Sequence, residues 1–260
     1  YLARHGDAVA RAFMQAPPNP RLERELGRPS DPFWGELGDQ DPRLQSMLLE
    51  ALDTLAGQRG DIVIALSRQH FFHKAEDLAA ERAAFIGELY AGDLAALERR
   101  KEQYQVDAVN RLQDSHEGIA VTVRQYELFQ PVYDRYERDG WSVAPTPEMQ
   151  WHLVEPLLAL HEAGDLPGWD LDPGALGRYD GEVFILAGTR DAAIPVAYQR
   201  RLAGLFRRAT LLLARDDHMM KGLQEAGLYQ RLHLEFLLHG ADSPQLAALL
   251  AEARTRGLAE

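Results

Sequence analysis

The stretch from Glu182 to His218 constrains the fold of this chain more than any other part of it. It reads Glu182-Val183-Phe184-Ile185-Leu186-Ala187-Gly188-Thr189-Arg190-Asp191, then a helical segment, then Ala209-Thr210-Leu211-Leu212-Leu213-Ala214-Arg215-Asp216-Asp217-His218. The first run is apolar at consecutive positions and ends in glycine, the pattern of a parallel strand covered on both faces. Asp191 falls in the loop at its carboxyl end, where open α/β sheets keep their sites. Pro195 pre-sets the start of a helix with Tyr198, Leu202, Leu205 and Phe206 on one face. The second run ends the same way, and His218 follows it. An acid and a histidine at the same edge of two successive strands predict a hydrogen-bonded Asp–His pair. Asp216 and Asp217 are rival local partners for the same imidazole, and the plain alternative for Asp191 is a turn aspartate.

The rest of the chain divides around this stretch. Tyr1 to Gly6 reads as the last turn of a helix with Gly6 as its left-handed stop. Val9 to Ala16 reads as a short strand, broken by Pro17-Pro18-Asn19-Pro20. From Arg21 to Gly177 the pattern is mostly helical and irregular. Leu44, Leu48, Ala51, Leu52 and Leu55 lie at helical spacing and end near Gly57, and Leu78, Phe85, Ile86 and Leu89 mark a second helical region. Gly92-Asp93 separates that region from Leu94 to Tyr104. Alternating β-branched residues from Glu117 to Arg124 predict one extended segment, and Thr146-Pro147 opens a helix with Trp151, Val154, Leu158 and His161 on one face. Pro167 to Gly181 reads as a loop. A helix after His218 carries Leu228, Leu232 and Leu237 to Gly240, and Ser243-Pro244 starts a last one with Leu246, Leu249, Leu250 and Ala253.

Composition removes several function classes. A net charge of −12 with no basic stripe argues against a nucleic-acid partner. The longest aliphatic run, Ile62-Val63-Ile64-Ala65-Leu66, is far short of the roughly 18 residues a membrane helix needs, so no membrane partner is expected. With no cysteine, disulfides and thiolate metal sites are excluded. That absence does not by itself choose a compartment, and a cytoplasmic location is the working expectation. His70 and His73 are spaced i, i+3 and could share a helix face, but nothing nearby supplies the further ligands a metal needs, so neither a metal nor another cofactor is expected.

An Asp–His pair serves nucleophilic catalysis, in which the imidazole takes the proton of a nucleophile while the carboxylate fixes its tautomer. The nucleophile is the missing part. Serines stand at 30, 46, 67, 115, 142 and 243, and none lies in Gly-x-Ser-x-Gly after a strand.

At these residues the chain resembles the C-terminal part of an α/β-hydrolase, whose triad runs Ser, then Asp or Glu, then His. Gly188-x-x-Asp191-x-x-x-Pro195 is similar to the family's acid loop, and His218 after Leu211 to Ala214 to its histidine loop. Tyr1 to Phe13 is similar to the segment where the helix after the nucleophile elbow ends and the next strand begins. The resemblance covers residues 1–20 and 178–240. It implies an α/β fold of partial parallel sheet, with hydrolase core at 1–20 and 178–260 and an inserted, mainly helical cap at 21–177. It also implies that the chain lacks the family's N-terminal half. The serine elbow would lie roughly a dozen residues before Tyr1, about one helix away, with the oxyanion-hole amides upstream as well.

The size of the inserted segment looks most like the proline iminopeptidase and tripeptidyl aminopeptidase branch, in which cap carboxylates hold the amino terminus of a peptide. Glu127 is the candidate for that role, and Phe71, Phe72, Tyr126, Phe129 and Tyr133 are candidate pocket walls. The resemblance thus implies a serine hydrolase acting on a short peptide or a small amide or ester. Its catalytic residues here would be His218, as general base and then general acid, and Asp191, as the orienting carboxylate. Two alternatives stay open: a hydrolase of the same fold with an aspartate nucleophile, as in epoxide hydrolases and dehalogenases, and a non-catalytic binding protein. Asp217, standing where the family usually has glycine, motivates the last. A chain beginning at Tyr1 would lack the strands meant to pair with Val9 to Ala16, expose that edge, and is expected to be poorly soluble or partly unfolded.

Overall fold

The computed structural model describes residues 2–17, 22, 32–112, 163 and 173–260. The chain is mixed α and β with a three-stranded parallel sheet. It divides into two compact units: residues 1–22, 70–76 and 168–260 form the first, and 23–69 with 77–167 the second. Residues 70–76 thus group with the sheet, although in sequence they lie inside the segment assigned to a cap.

The first unit is built on β1 (Arg11–Gln15), β2 (Glu182–Gly188) and β3 (Ala209–Ala214), in that spatial order. Every residue of β2 is buried. The reason is visible in its alternation: side chains of successive strand residues point to opposite faces, and both faces are covered. Phe184 and Leu186 pack with Leu212 and Ala214 against Leu223, Leu232, Phe236, Leu246 and Leu249. Those residues come from α10 (Lys221–Glu225), α11 (Tyr229–His239) and α12 (Pro244–Thr255). Val183 and Ile185 face the other way, among Leu22, Tyr179, Leu202 and Phe206. That side holds α1 (Leu2–His5), α8 (Pro173–Gly177) and α9 (Val196–Ala203). A continuous apolar run is therefore required of β2, whereas β1 is only half-buried along its length.

The outer edge of β3 is covered by the chain's own last residues. Ala214 and Ala259 form an antiparallel bridge, and the amides of Arg215 and Glu260 donate to Leu258 and Leu213. Among the described residues no strand pairs with the far side of β1. At the opposite, amino-terminal end of the sheet, buried Glu182 is clamped by Arg11 Nε at 2.9 Å and by Arg208. Arg11 also donates to the carbonyls of Leu237 and Leu238, so it joins β1, β2 and the end of α11.

Among the described residues the second unit is helical: α2 (Pro32–Gln40), α3 (Pro42–Thr54), α4 (Arg59–Phe72, which runs on into the first unit), α5 (Ala75–Tyr90), α6 (Leu94–Gln103) and α7 (Val106–Leu112). Asp41 and Asp93 cap α3 and α6 by accepting from the amides of Arg43 and Ala96. Leu48, Leu52, Ile62, Leu66, Phe85, Ile86 and Tyr104 are fully buried. Arg100 bonds Glu88 and Glu81 at the edge of this core.

Several expectations need correction. Gly6 does not adopt a left-handed conformation; it opens a 3-10 turn from Gly6 to Ala8. Its lack of a side chain matters for space, since a Cβ there would sit 2.8 Å from the Tyr179 ring. The Pro167–Gly181 loop contains the short helix α8. The helix expected after His218 is two helices, α10 and α11, and Leu237 on the second is partly exposed rather than core. Helix α9 ends at Ala203, so Leu205 and Phe206 follow it rather than share its face. The extended segment at 117–124 and the Trp151 helix lie outside the described residues. No helix among the described residues is long and apolar enough to cross a membrane.

Burial pushes the phenols of Tyr104, Tyr179 and Tyr229 above the ordinary tyrosine value of 10.0, Tyr179 also feeling the nearby Glu182 carboxylate. Below about pH 10 both folded and unfolded chains hold these protons, and stability is unaffected. As pH rises past 10 the unfolded chain releases them first, binds fewer protons than the folded one, and stability falls. Thermal melts are expected to drop steeply above pH 10, with part of the tyrosine absorbance change appearing only on unfolding. A Tm flat to pH 11.5 contradicts this.

Candidate functional site

The carboxyl ends of the three strands converge on one pair of side chains. After Gly188 the chain turns at Thr189 and Arg190, whose amides donate to the carbonyls of Ala214 and Asp216 at 2.7 and 3.0 Å. The loop after β2 is therefore stitched to the loop after β3. Gly188 is glycine because that second loop passes so close: a Cβ would stand 2.6 Å from the carbonyl oxygens of both Asp216 and Asp217. Any side chain at 188 would push the His218 loop off the sheet.

Asp191 is buried, its side chain fully excluded from solvent. Its Oδ1 accepts from the amides of Ala193 at 2.7 Å and Ile194 at 3.0 Å, which fixes the turn that leads through Pro195 into α9. Its Oδ2 faces His218 Nδ1 at 2.9 Å. The plain role of a turn aspartate and the pairing role are thus met at once, one oxygen each. Three hydrogen bonds leave this desolvated carboxylate satisfied. A carboxylate only accepts, so in the neutral tautomer that faces Asp191 it is Nδ1 that carries the proton and Nε2 that has the lone pair. Among the described residues Nε2 has no hydrogen-bond partner, and the imidazole is 20% exposed. That is the arrangement of a base with one face held and the other available.

The rival partners are occupied elsewhere. Asp216 accepts from the amides of Asp217 and Leu223, and Asp217 from the amide of Met219. Both shape the loop and neither pairs with the imidazole. The next residue but one, Met220, is buried with φ +56, and Ala16 at the end of β1 has φ +39. Two non-glycine residues in the left-handed region therefore border the pair, and such conformations persist only where the surroundings impose them.

Phe71 lies edge-on to His218, ring centres 5.0 Å apart. Its segment is tied down by the amide of Ala75, which donates to the Arg190 carbonyl. Phe71 was a candidate pocket wall in sequence, and it stands against the imidazole. Tyr126, Glu127, Phe129, Tyr133 and His161 lie outside the described residues. His70 packs on Phe71, and among the described residues no cluster of three metal-ligating side chains occurs.

Gln15 went unnoticed in the sequence. It ends β1 in register with Leu186 and donates through Nε2 to the His218 carbonyl at 2.8 Å. The rule that singled out Asp191, a polar residue at the carboxyl end of a parallel strand, would have found it. The only serine of the first unit, Ser243, caps α12 through the amide of Leu246 and bonds Glu235. Comparison of the chain with protein-family models, with curated proteins and with solved structures found no match.

Proposed function

We propose that this chain carries the acid–base half of a serine hydrolase of the α/β-hydrolase type, acting on the amino end of a short peptide or on a small amide or ester. The observation that carries this reading is the 2.9 Å contact between buried Asp191 Oδ2 and His218 Nδ1. The topology supports it: three parallel strands follow one another in space as in sequence, with the acid after the second and the histidine after the third. In this reading the nucleophile is a serine N-terminal to Tyr1, as the resemblance to the family's Ser, Asp, His order implies; Ser243, the serine of the first unit, caps a helix.

In this mechanism Nε2 of His218 takes the hydroxyl proton as the serine oxygen attacks the substrate carbonyl. Asp191 stabilises the imidazolium without taking its proton. Nε2 then hands the proton to the leaving amine or alcohol, and the acyl-enzyme is cleaved by a water that the same nitrogen deprotonates. No step calls for a metal or a cofactor. Glu127 would bind the substrate's ammonium group.

The test is turnover of aminoacyl anilides and short-chain esters by the full-length protein. His218→Ala is expected to lower kcat by at least 10³-fold, since general-base help and proton delivery are lost together. Absence of turnover on every substrate, or equal turnover by His218→Ala, overturns the reading.

A further inference from the structure

His218 is gripped at two points, and only one of them belongs to the Asp–His pair. Its ring is held by Asp191 from the end of β2. Its own carbonyl is held by Gln15 Nε2 from the end of β1, at 2.8 Å. The orientation of the Gln15 amide is fixed by its other partner: the Tyr229 hydroxyl donates to Gln15 Oε1 at 2.6 Å. A carbonyl needs a donor and a phenol hydroxyl can supply a proton, so only one setting of the amide satisfies both contacts. Tyr229 is in turn wedged edge-on against Phe13 and His233, with ring centres 6.2 and 6.4 Å away. The chain of contacts runs from the packed start of α11, through Gln15, to the peptide of His218.

That peptide needs holding. It lies in a loop that continues through left-handed Met220, and the loop is otherwise fixed by the Arg190 amide on the Asp216 carbonyl, by the Met220 amide on the Asp217 carbonyl, and by the Asp216 and Asp217 side chains on the amides of Asp217, Leu223 and Met219. None of those contacts reaches the backbone carbonyl of residue 218, and the ring keeps its place against Asp191 only if that stretch of main chain is anchored. We propose that Gln15, oriented by Tyr229, is a positioning residue that sets the imidazole of His218 against Asp191. The proposal rests on the hydrolase reading for its consequence in turnover but not for its geometry.

The variants are Gln15→Glu, Gln15→Met and Tyr229→Phe. Gln15→Glu keeps the shape and the acceptor for Tyr229 but replaces the donor to the His218 carbonyl with a repelling oxygen. Gln15→Met removes both bonds with little change of volume. Tyr229→Phe leaves the amide in place and frees it to turn.

Two readouts are taken together on protein whose cooperative melt is retained. The first is the pair of ring 15N shifts of His218 at pH 9, where an imidazole is ordinarily neutral. The wild type is expected to show the Nδ1–H tautomer set by Asp191. Gln15→Glu and Gln15→Met should move toward the Nε2–H form, and Tyr229→Phe should move in the same direction by less. The second is hydrolysis, where kcat should fall 10- to 100-fold with KM nearly unchanged, as expected for a misplaced base. Wild-type ring shifts in both Gln15 variants overturn the proposal even if hydrolysis is robust. Shifted tautomers in a protein that hydrolyses nothing leave the positioning role standing and remove the hydrolase reading.

Discussion

Replacing Asp191 with Asn is expected to lower kcat by about 10⁴-fold, or about 5.5 kcal/mol of barrier, while leaving the fold intact. The geometry gives the reason. Oδ1 accepts from the amides of Ala193 and Ile194, and the carbonyl oxygen of an asparagine can keep both bonds. That forces the amide nitrogen into the place of Oδ2, facing His218 Nδ1. A donor now meets a nitrogen that was itself a donor. The imidazole answers by moving its proton to Nε2, and the lone pair that would accept the nucleophile's proton is gone. The variant should melt within a few degrees of the wild type, because the turn and the packing are unchanged. Asp191→Ala would be less informative, since it empties a buried site and strands two amides as well. An Asp191→Asn protein with turnover within tenfold of wild type would show that the pair is structural.

Phe184→Ala is expected to cost about 3–5 kcal/mol, the largest stability loss from a single change in the first unit. Phe184 is fully buried at the centre of β2. Its ring stacks on that of Phe13, its register partner on β1, at 5.1 Å and 8°, and tilts against Phe236 of α11 at 5.4 Å. The substitution therefore opens a cavity where two strands and a helix meet, and rigid surroundings fill it only in part. A denaturant midpoint shifted at unchanged slope, in a signal from the first unit, measures the effect. Leu238→Ala on the same helix is the control: that side chain is 66% exposed, and the change should stay within about 0.5 kcal/mol. A loss below 1 kcal/mol for Phe184→Ala would mean that the sheet is not packed as described.

The strands and the pair were legible because parallel-sheet physics writes itself plainly. A strand covered on both faces needs an uninterrupted apolar run, and Val183 to Ala187 supplies one. A polar residue just past such a run stands at the sheet's functional edge, which is how Asp191 and His218 could be read. Helix α4 was not legible in the same way. Ile62, Val63, Ala65, Leu66, Ser67 and Gln69 are all buried, so it has no polar stripe to reveal a helical period. Gly6 misled because glycine serves two purposes, backbone freedom and close approach, and here the Tyr179 ring demanded the second. Tyr229 carried no local signal, since its contact with Gln15 depends on how α11 packs on β1.

The Asp191–His218 pair is central to everything proposed, and the most direct measurement is active-site labelling of the full-length protein. A fluorophosphonate should form a covalent adduct on a serine, and His218→Ala should slow that labelling by at least 10³-fold. Absence of any adduct, or labelling at the same rate without the imidazole, would contradict the account.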